Sequence, residues 1–221
     1  MGRDNQYEKE RQRMSEKQRS TQATLAEHIQ KNTMSSEELE RELLAFIDEA
    51  SSHPGTIEGP GCPLKHGLAC VLCSVHNNEP RATPIDFFAD GMTLWCAGEP
   101  GLKIRNIRSN QKVAVGIYHA MDHSVLNRSL QINATATLVP YDGHEQDFLE
   151  RIKIMGVYDA AAKIMGEMFE AQAMKVENFE EEVIKGVRRF NLIKIEPYEI
   201  TYLRIHPQEG TVKNIWKKAV T

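Results

Sequence analysis

The spacing of apolar residues changes near position 68, and this change constrains the fold more than any other feature. Before it, Leu39, Leu43 and Phe46 recur at helical spacing on one face of a segment that begins at Ser35. After it, apolar residues alternate in successive short segments, and Asp90-Gly91 is a strong hairpin signal. One helix followed by many antiparallel strands predicts an α+β fold that is mainly β. Consecutive strands of this kind usually close into a barrel, which removes their exposed edges.

The alternation predicts the strands, and the intervening patterns predict the rest of the domain. Strands are expected at 68–76, 81–89, 92–98, 112–120, 129–139 and 188–205. Pro197 interrupts the last strand, which implies a bulge or a sheet edge. We expect a polar N-terminal arm at 1–34, one domain at 35–206 with a helical insertion at about 143–185, and a C-terminal tail at 207–221.

Bulk properties exclude several functional classes. The formal net charge is -4, so nothing predicts a nucleic-acid partner. No apolar run is long enough to span a membrane, and the N-terminus has no apolar stretch typical of a secretory signal. Four cysteines in a chain of this kind indicate reduced thiols. We therefore expect a cytoplasmic protein that does not bind a membrane.

The segment 61–76, "GCPLKHGLACVLCSVH", concentrates Cys and His and raises the question of a metal site. Cys70 and Cys73 lie in a predicted strand, where a separation of three residues puts them on opposite faces, about 10 Å apart. Only Cys62, His66 and Cys70 remain as a conceivable ligand set. We predict no metal, and we interpret the cysteines as small core residues of a strand.

The segment "TLWCAGEPGLKIRNIRSN" (93–110) is the best candidate for a binding site. A strand ends, glycines form a turn, and a short helix begins beside Lys103 and Arg105. Free N–H groups at a helix N-terminus together with cations can hold an anion. Helical spacing separates Lys103 from Arg105 by about 200°, so both reach one anion only if the turn is irregular. A solvated surface helix is the alternative.

Two longer stretches resemble the pyridoxamine 5'-phosphate oxidase-like split-barrel flavoproteins. They are "EPRATPIDFFADGMTLWCAGEPGLKIRNIRSNQKVAVGIY" and "LQINATATLV". The resemblance covers roughly 36–140 and a closing strand around 190–204. It implies an antiparallel split β-barrel of the FMN-binding type, with FMN held between the two subunits of a homodimer.

The resemblance also implies which residues contact the cofactor. Lys103 falls on the basic residue that binds the phosphate, and Gln131 on the polar residue near the flavin ring. An amide suits the ring edge because it both donates and accepts hydrogen bonds. The full set is Ala82, Thr83, Pro84, Ile85, Trp95, Cys96, Ala97, Lys103, Arg105, Asn106 and Gln131.

The sequence departs from the true oxidase, which has basic residues at the positions of Ala82, Phe87 and Leu102. Arg81 is a partial substitute. We therefore expect no oxidation of pyridoxamine phosphate. The expected function is that of an FMN-dependent oxidoreductase of unknown substrate, with a small-molecule electron donor or acceptor and no assigned catalytic side chain.

Two alternatives stay open at this point. The first is a flavin or haem carrier without turnover, for which His119 and His123, four residues apart, are the histidines to consider. The second is an interaction protein whose cleft is empty and whose polar arm recruits a partner.

Overall fold

The computed structural model describes residues 29–54, 64–65, 67–119, 127–206 and 210–219. The predictions for most of the N-terminal arm, for Cys62, for His66 and for His123 fall outside these residues. The helices are α1 (Ser36–Ala50), α2 (Leu102–Ser109), α3 (Glu145–Ile154), α4 (Val157–Ala171) and α5 (Phe179–Val187). The strands are β1 (Ile29–Lys31), β2 (His53–Pro54), β3 (Leu64–Lys65), β4 (Cys70–His76), β5 (Glu79–Ile85), β6 (Phe88–Asp90), β7 (Thr93–Gly98), β8 (Lys112–His119), β9 (Asn127–Val139), β10 (Asn191–His206) and β11 (Gly210–Lys217).

Helix α1 confirms the helical pattern at the start of the domain. The Ser35 hydroxyl accepts a hydrogen bond from the backbone N–H of Glu38 at 3.2 Å, which satisfies one of the free donors of the first turn. The apolar face of the helix is buried in the main core. In that core the Phe46 ring packs against Tyr202 of β10, at 6.5 Å between ring centroids.

Strand β10 organises the sheet and explains its split form. One edge of β10 pairs with β9 along almost its whole length. The other edge pairs with β7 over Asn191–Ile195 and with β11 over Glu199–His206. The register shifts between Pro197 and Glu199, which is the predicted bulge. The sheet divides at this bulge, and the prediction of an α+β antiparallel split barrel is confirmed.

The rest of the sheet follows in the order β10, β9, β8, β4 and β5, all antiparallel. Cys70 of β4 is buried, whereas the side chain of Cys73 is only half-buried, so the two thiols do lie on opposite faces. The strand interpretation of this segment is confirmed. Among the described residues no helix is both long and apolar enough to cross a membrane.

Both ends of the described chain add strands to the sheet. The segment expected to be a C-terminal tail contains β11, which pairs with β10 over eight residues. Strand β1, from the expected N-terminal arm, pairs with β11 in parallel. The side chain of buried Asn214 accepts a hydrogen bond from the Met34 N–H at 3.2 Å, which joins the two ends.

The helical insertion forms a second core against β7 and β10. Phe148, Ile152, Val183 and Val187 of α3 and α5 pack there with Trp95 and Leu192. Gly156 adopts a φ of 72° between α3 and α4, and this left-handed conformation divides the helical segment where a glycine tolerates it. Strand β7 therefore separates two cores, and its alternate side chains face opposite ways.

Candidate functional site

The β4–β5 hairpin places one wall of the candidate site. Asn77 and Asn78 connect the strands with φ values of 50° and 63°. Two central residues with positive φ fit the tight turn that matches strand twist, and Asn is one of the few residues that tolerates this conformation. The turn brings His76 and Arg81 to α2.

A basic cleft of about 140 Å³ lies between this hairpin and α2. It is lined by His76, Glu79, Pro80, Arg81, Leu102, Arg105 and Asn106. Two guanidinium groups and an imidazole face a single carboxylate, so the cleft favours an anion. Arginine pairs with phosphate or carboxylate through two parallel hydrogen bonds, which makes both anions suitable occupants.

A chain of hydrogen bonds fixes α2 on β4 beneath the cleft. Asn106 is 5% exposed and donates from Nδ2 to Ser74 Oγ at 3.2 Å. Ser109 Oγ donates to the Asn106 carbonyl at 2.9 Å and lies 2.8 Å from His76 Nδ1. The Asn106 amide is therefore used to hold the helix, and Arg105 is the α2 residue that brings a cation to the cleft.

Lys103 lies on another side of α2 and does not line the basic cleft. The helix is regular from Leu102 onward, so the separation expected from helical spacing holds. The Lys103 side chain runs across Gly98 at the end of β7, where a Cβ on Gly98 would lie only 3.0 Å from Lys103 Cε. Gly98 thus provides the space that the lysine side chain occupies.

Strand β5 divides its four predicted contact residues between two faces. Ala82 and Pro84 are exposed on the outer face, whereas Thr83 and Ile85 point inward and are half-buried. Thr83 Oγ1 is buried and has no hydrogen-bond partner among the described residues. A buried hydroxyl without a partner is energetically costly, so this atom is suited to contact a bound polar group.

The outer sheet face holds Gln131 far from β5. Pro84 pairs with Val71, Val71 with Gly116, and Gly116 with Gln131, so these residues lie in one row across four strands. Three strand spacings separate Pro84 from Gln131 by about 14 Å. A Cβ on Gly116 would meet nothing within 4 Å, so the middle of the row is flat and open.

Strand β7 places its three predicted residues on two sides. Trp95 packs in the second core with the helical insertion, and Ala97 packs against the same cluster. Cys96 points the other way, into the main core. A hydrogen bond with Cys70, together with burial, raises the pKa of the Cys96 thiol well above its usual range, and nearby Lys103 opposes this shift. The thiol is therefore neutral and is not a nucleophile.

A comparison with protein-family models adds independent information. The model described as "Pyridoxamine 5'-phosphate oxidase" matches residues 64–203. The chain belongs to the pyridoxamine 5'-phosphate oxidase family. The match spans β3 through most of β10, and so includes both the hairpin and α2. No curated protein sequence matches the chain.

Solved structures with a similar fold share little sequence with this family member. General Stress Protein 26 from Bacillus anthracis is 18% identical, with coverage of 74% of this chain and 92% of that one and a TM-score of 0.42. A pyridoxamine 5'-phosphate oxidase-related, FMN-binding protein from Nostoc punctiforme is 16% identical, with coverage of 68% and 87% and a TM-score of 0.45. An FAD-binding protein from Mesorhizobium loti is 14% identical, with coverage of 62% and 86% and a TM-score of 0.41.

Sequence reasoning missed three residues that shape the site. Ser74 and His76 contact α2 residues 32 and 33 positions away, and such distant pairs leave no local pattern. Gly98 was recognised only as part of a turn, although its missing side chain makes room for Lys103. A glycine at the end of an otherwise apolar strand is the one available signal, since it often marks a close approach.

Proposed function

We propose that this chain binds FMN and acts as a flavin-dependent oxidoreductase. The observation that carries the proposal is the concentration of cations around α2, with Arg81 and Arg105 facing the basic cleft and Lys103 held on Gly98. FMN differs from riboflavin by a phosphate. Lys103 is the cation that would contact it, and Arg81 and Arg105 would add to the positive potential around α2. The unpartnered Thr83 hydroxyl lies on the inner face of β5, the face that also carries Arg81, and would supply a further polar contact at the phosphate end.

The residues of the chain would bind and orient the cofactor, whereas the flavin, when bound, supplies the electron transfer. Lys103 would hold the phosphate end by a charge-assisted hydrogen bond. Arg105, on another side of α2, would attract the anion through its charge without contacting it. The flat outer face around Gly116 gives a planar ring a surface to lie on. Gln131 donates and accepts hydrogen bonds at the polar ring edge. The electron donor or acceptor is a small molecule.

The proposed site is completed by a second copy of the chain. Pro84 and Gln131 of one copy are about 14 Å apart across the sheet, so a single copy does not surround a ring with both. If two copies pack through their outer faces, Gln131 of one copy approaches β5 of the other. The row includes Gly116, beside which there is open space, and Val71, an apolar side chain that is 38% exposed, so it offers a surface on which a second sheet can pack. We therefore propose a homodimer with the flavin at its interface.

Pyridoxamine phosphate is not the proposed substrate. Two of the three positions that are basic in the true oxidase lie in or near the site, where Ala82 is exposed and Leu102 lines the basic cleft. The third, Phe87, is completely buried in the main core. A core phenylalanine brings no cation to a phosphorylated substrate, and this supports a substrate other than pyridoxamine phosphate.

Two measurements on the purified protein test this proposal. The first is the colour of the protein, because bound flavin makes it yellow and denaturation should then release FMN. The second is turnover: if NADH or NADPH reduces the bound FMN and an acceptor is converted steadily, the protein is an enzyme. Bound flavin without turnover indicates a carrier, and a Soret band indicates haem. A colourless protein that takes up no added FMN contradicts flavin binding and haem binding alike.

The dimer has a separate test. Gly116→Arg places a bulky cation in the middle of the outer face and should give a monomer by sedimentation, with weaker FMN binding. A wild-type protein that binds FMN as a monomer would refute the shared site. So would a monomeric Gly116→Arg variant that binds FMN as tightly as the wild type.

A further inference from the structure

A second cavity lies on the side of β7 that faces away from Lys103. Helix α3 covers strands β7, β9 and β10 there and leaves a space of about 360 Å³. Its lining residues are Trp95, Val139, His144, Asp147, Glu150, Arg151, Ile154 and Leu192. A volume of this size is typical of sites for small organic molecules. None of the basic residues of the first cleft contributes to it.

Part of the lining is apolar and rigid. Leu192 is completely buried and Trp95 is 9% exposed, and both belong to the second core. The Trp95 indole Nε1 is buried and has no hydrogen-bond partner among the described residues. Buried indole N–H groups usually find an acceptor, so this side chain lacks a partner that a ligand could supply.

Arg151 stacks on Trp95, and its charge is already compensated. The guanidinium carbon lies 4.4 Å from the centroid of the indole ring, and Nη1 lies 3.0 Å from Asp90 Oδ2. The cation–π contact and the ion pair hold the arginine in place. Arg151 therefore acts as a fixed wall of the cavity, and its pairing with Asp90 limits its attraction for an anion.

The remaining charges at the cavity are negative. Asp147 and Glu150 are three residues apart on α3, which puts both on one face of the helix, and both are exposed. Lys194 is the register partner of Trp95, but its ammonium group pairs with Glu196 at 3.1 Å. Arg151 is the arginine that lines this cavity and is already paired with Asp90, so within the described part of the chain neither rim carboxylate has an ion-pair partner.

We infer that this cavity binds a small organic cation with an apolar, ring-sized body. The body packs on Val139, Ile154 and the accessible edge of Trp95, and the positive group lies at the rim beside Asp147 and Glu150. An acceptor atom on the ligand adds a partner for the Trp95 N–H. This site is independent of flavin binding, because β7 separates the second core from the main core on which α2 packs, and no residue lines both cavities.

Tryptophan fluorescence tests the inference directly. The chain has two tryptophans, so Trp216→Phe leaves Trp95 as the only tryptophan, and excitation at the red edge of the absorption band selects it over the tyrosines. Benzylamine serves as the cationic probe, with benzyl alcohol as the neutral analogue and benzoate as the anionic one. We expect saturable quenching by benzylamine, weaker binding of benzyl alcohol and the weakest binding of benzoate.

Charge-neutral variants identify the rim. In the same background, Asp147→Asn combined with Glu150→Gln should weaken benzylamine about 5- to 10-fold, in the range of two partly exposed charge contacts. The same double variant should change the affinity for benzyl alcohol by less than a factor of about two. Glu167→Gln, an exposed carboxylate on α4, is the matched control and should change nothing.

Three outcomes would overturn the inference. The first is benzoate binding as tightly as benzylamine, and the second is no saturable quenching by any probe. The third is an unchanged benzylamine affinity in the Asp147 and Glu150 double variant, with circular dichroism showing that the variant is folded. Loss of flavin binding would leave all of these results unaffected, so failures of the two proposals are distinguishable.

Discussion

Replacing Lys103 by Met removes the ammonium group and keeps an unbranched side chain that can still lie across Gly98. The native side chain has little free space there, since a Cβ on Gly98 would approach Lys103 Cε to 3.0 Å. Long lysine side chains stabilise through their aliphatic part as well as through their charge. The Lys103→Met variant therefore separates the loss of charge from the loss of packing, which Lys103→Ala would combine.

The expected magnitude follows from one lost charge-assisted hydrogen bond. Such a bond contributes about 1.5–3 kcal/mol, which corresponds to a change in FMN affinity of about 10- to 150-fold. Lys103 is half-buried, so solvent screening favours the lower end of this range. Riboflavin lacks the phosphate, and its affinity should change by less than about two-fold.

Titration of the flavin-free protein with FMN and with riboflavin, followed by flavin fluorescence, measures both affinities. Arg108→Gln is the matched control, since Arg108 is an exposed cation in the last turn of α2 and does not line the basic cleft. An equal loss of affinity for the two flavins in Lys103→Met would refute the assigned role. So would an Arg108 variant that weakens FMN as much as the Lys103 variant does.

Three further predictions concern neighbouring residues. Gly98→Ala should displace the Lys103 side chain and weaken FMN but not riboflavin in the same titration. Asn78→Val should lower the free energy of unfolding by about 1–2 kcal/mol, because a β-branched residue is strained at a φ of 63°; urea denaturation measures this, and Asn78→Gly should be tolerated. The pKa of Cys96 is raised by its hydrogen bond with Cys70 and by burial, so the folded state keeps a proton that the unfolded state loses above its ordinary pKa of about 8.5. Stability should therefore fall as the pH rises above that value, and urea denaturation under reducing conditions should show a smaller fall for Cys96→Ala.

Local patterns were enough to predict most of the described barrel. Helix α1 has a capping serine and a regular apolar stripe, and strands β4, β8 and β9 alternate clearly. The bulge at Pro197 follows from a single residue that cannot donate a hydrogen bond. These features depend on neighbours in the sequence, and for that reason the sequence reveals them.

Strand β11 was missed because its inward positions do not look apolar. Val212, Asn214 and Trp216 face one side, and the central residue of the three is polar. Asn214 is nevertheless buried, since its side chain accepts a hydrogen bond from Met34, 180 positions away. No local pattern predicts a partner at such a distance, so the segment was interpreted as a tail.

The candidate site was predicted only in part for the same reason. The helical spacing of Lys103 and Arg105 predicted that their side chains lie on different sides of the helix, and the regular helix α2 confirms this. The basic cleft, however, depends on the hairpin bringing Arg81 and His76 to α2, which only the tertiary structure reveals. The two sides of β7 likewise assign Trp95 to a cavity different from the environment of Cys96.

The central claim is that Lys103, in the positive potential of the cations around α2, binds the phosphate of a flavin. The most direct measurement is the visible spectrum of the purified protein, followed by mass identification of the molecule that denaturation releases. The proposal predicts flavin absorption and the release of FMN. A colourless protein that takes up no added FMN, or one that binds riboflavin as tightly as FMN, would contradict it.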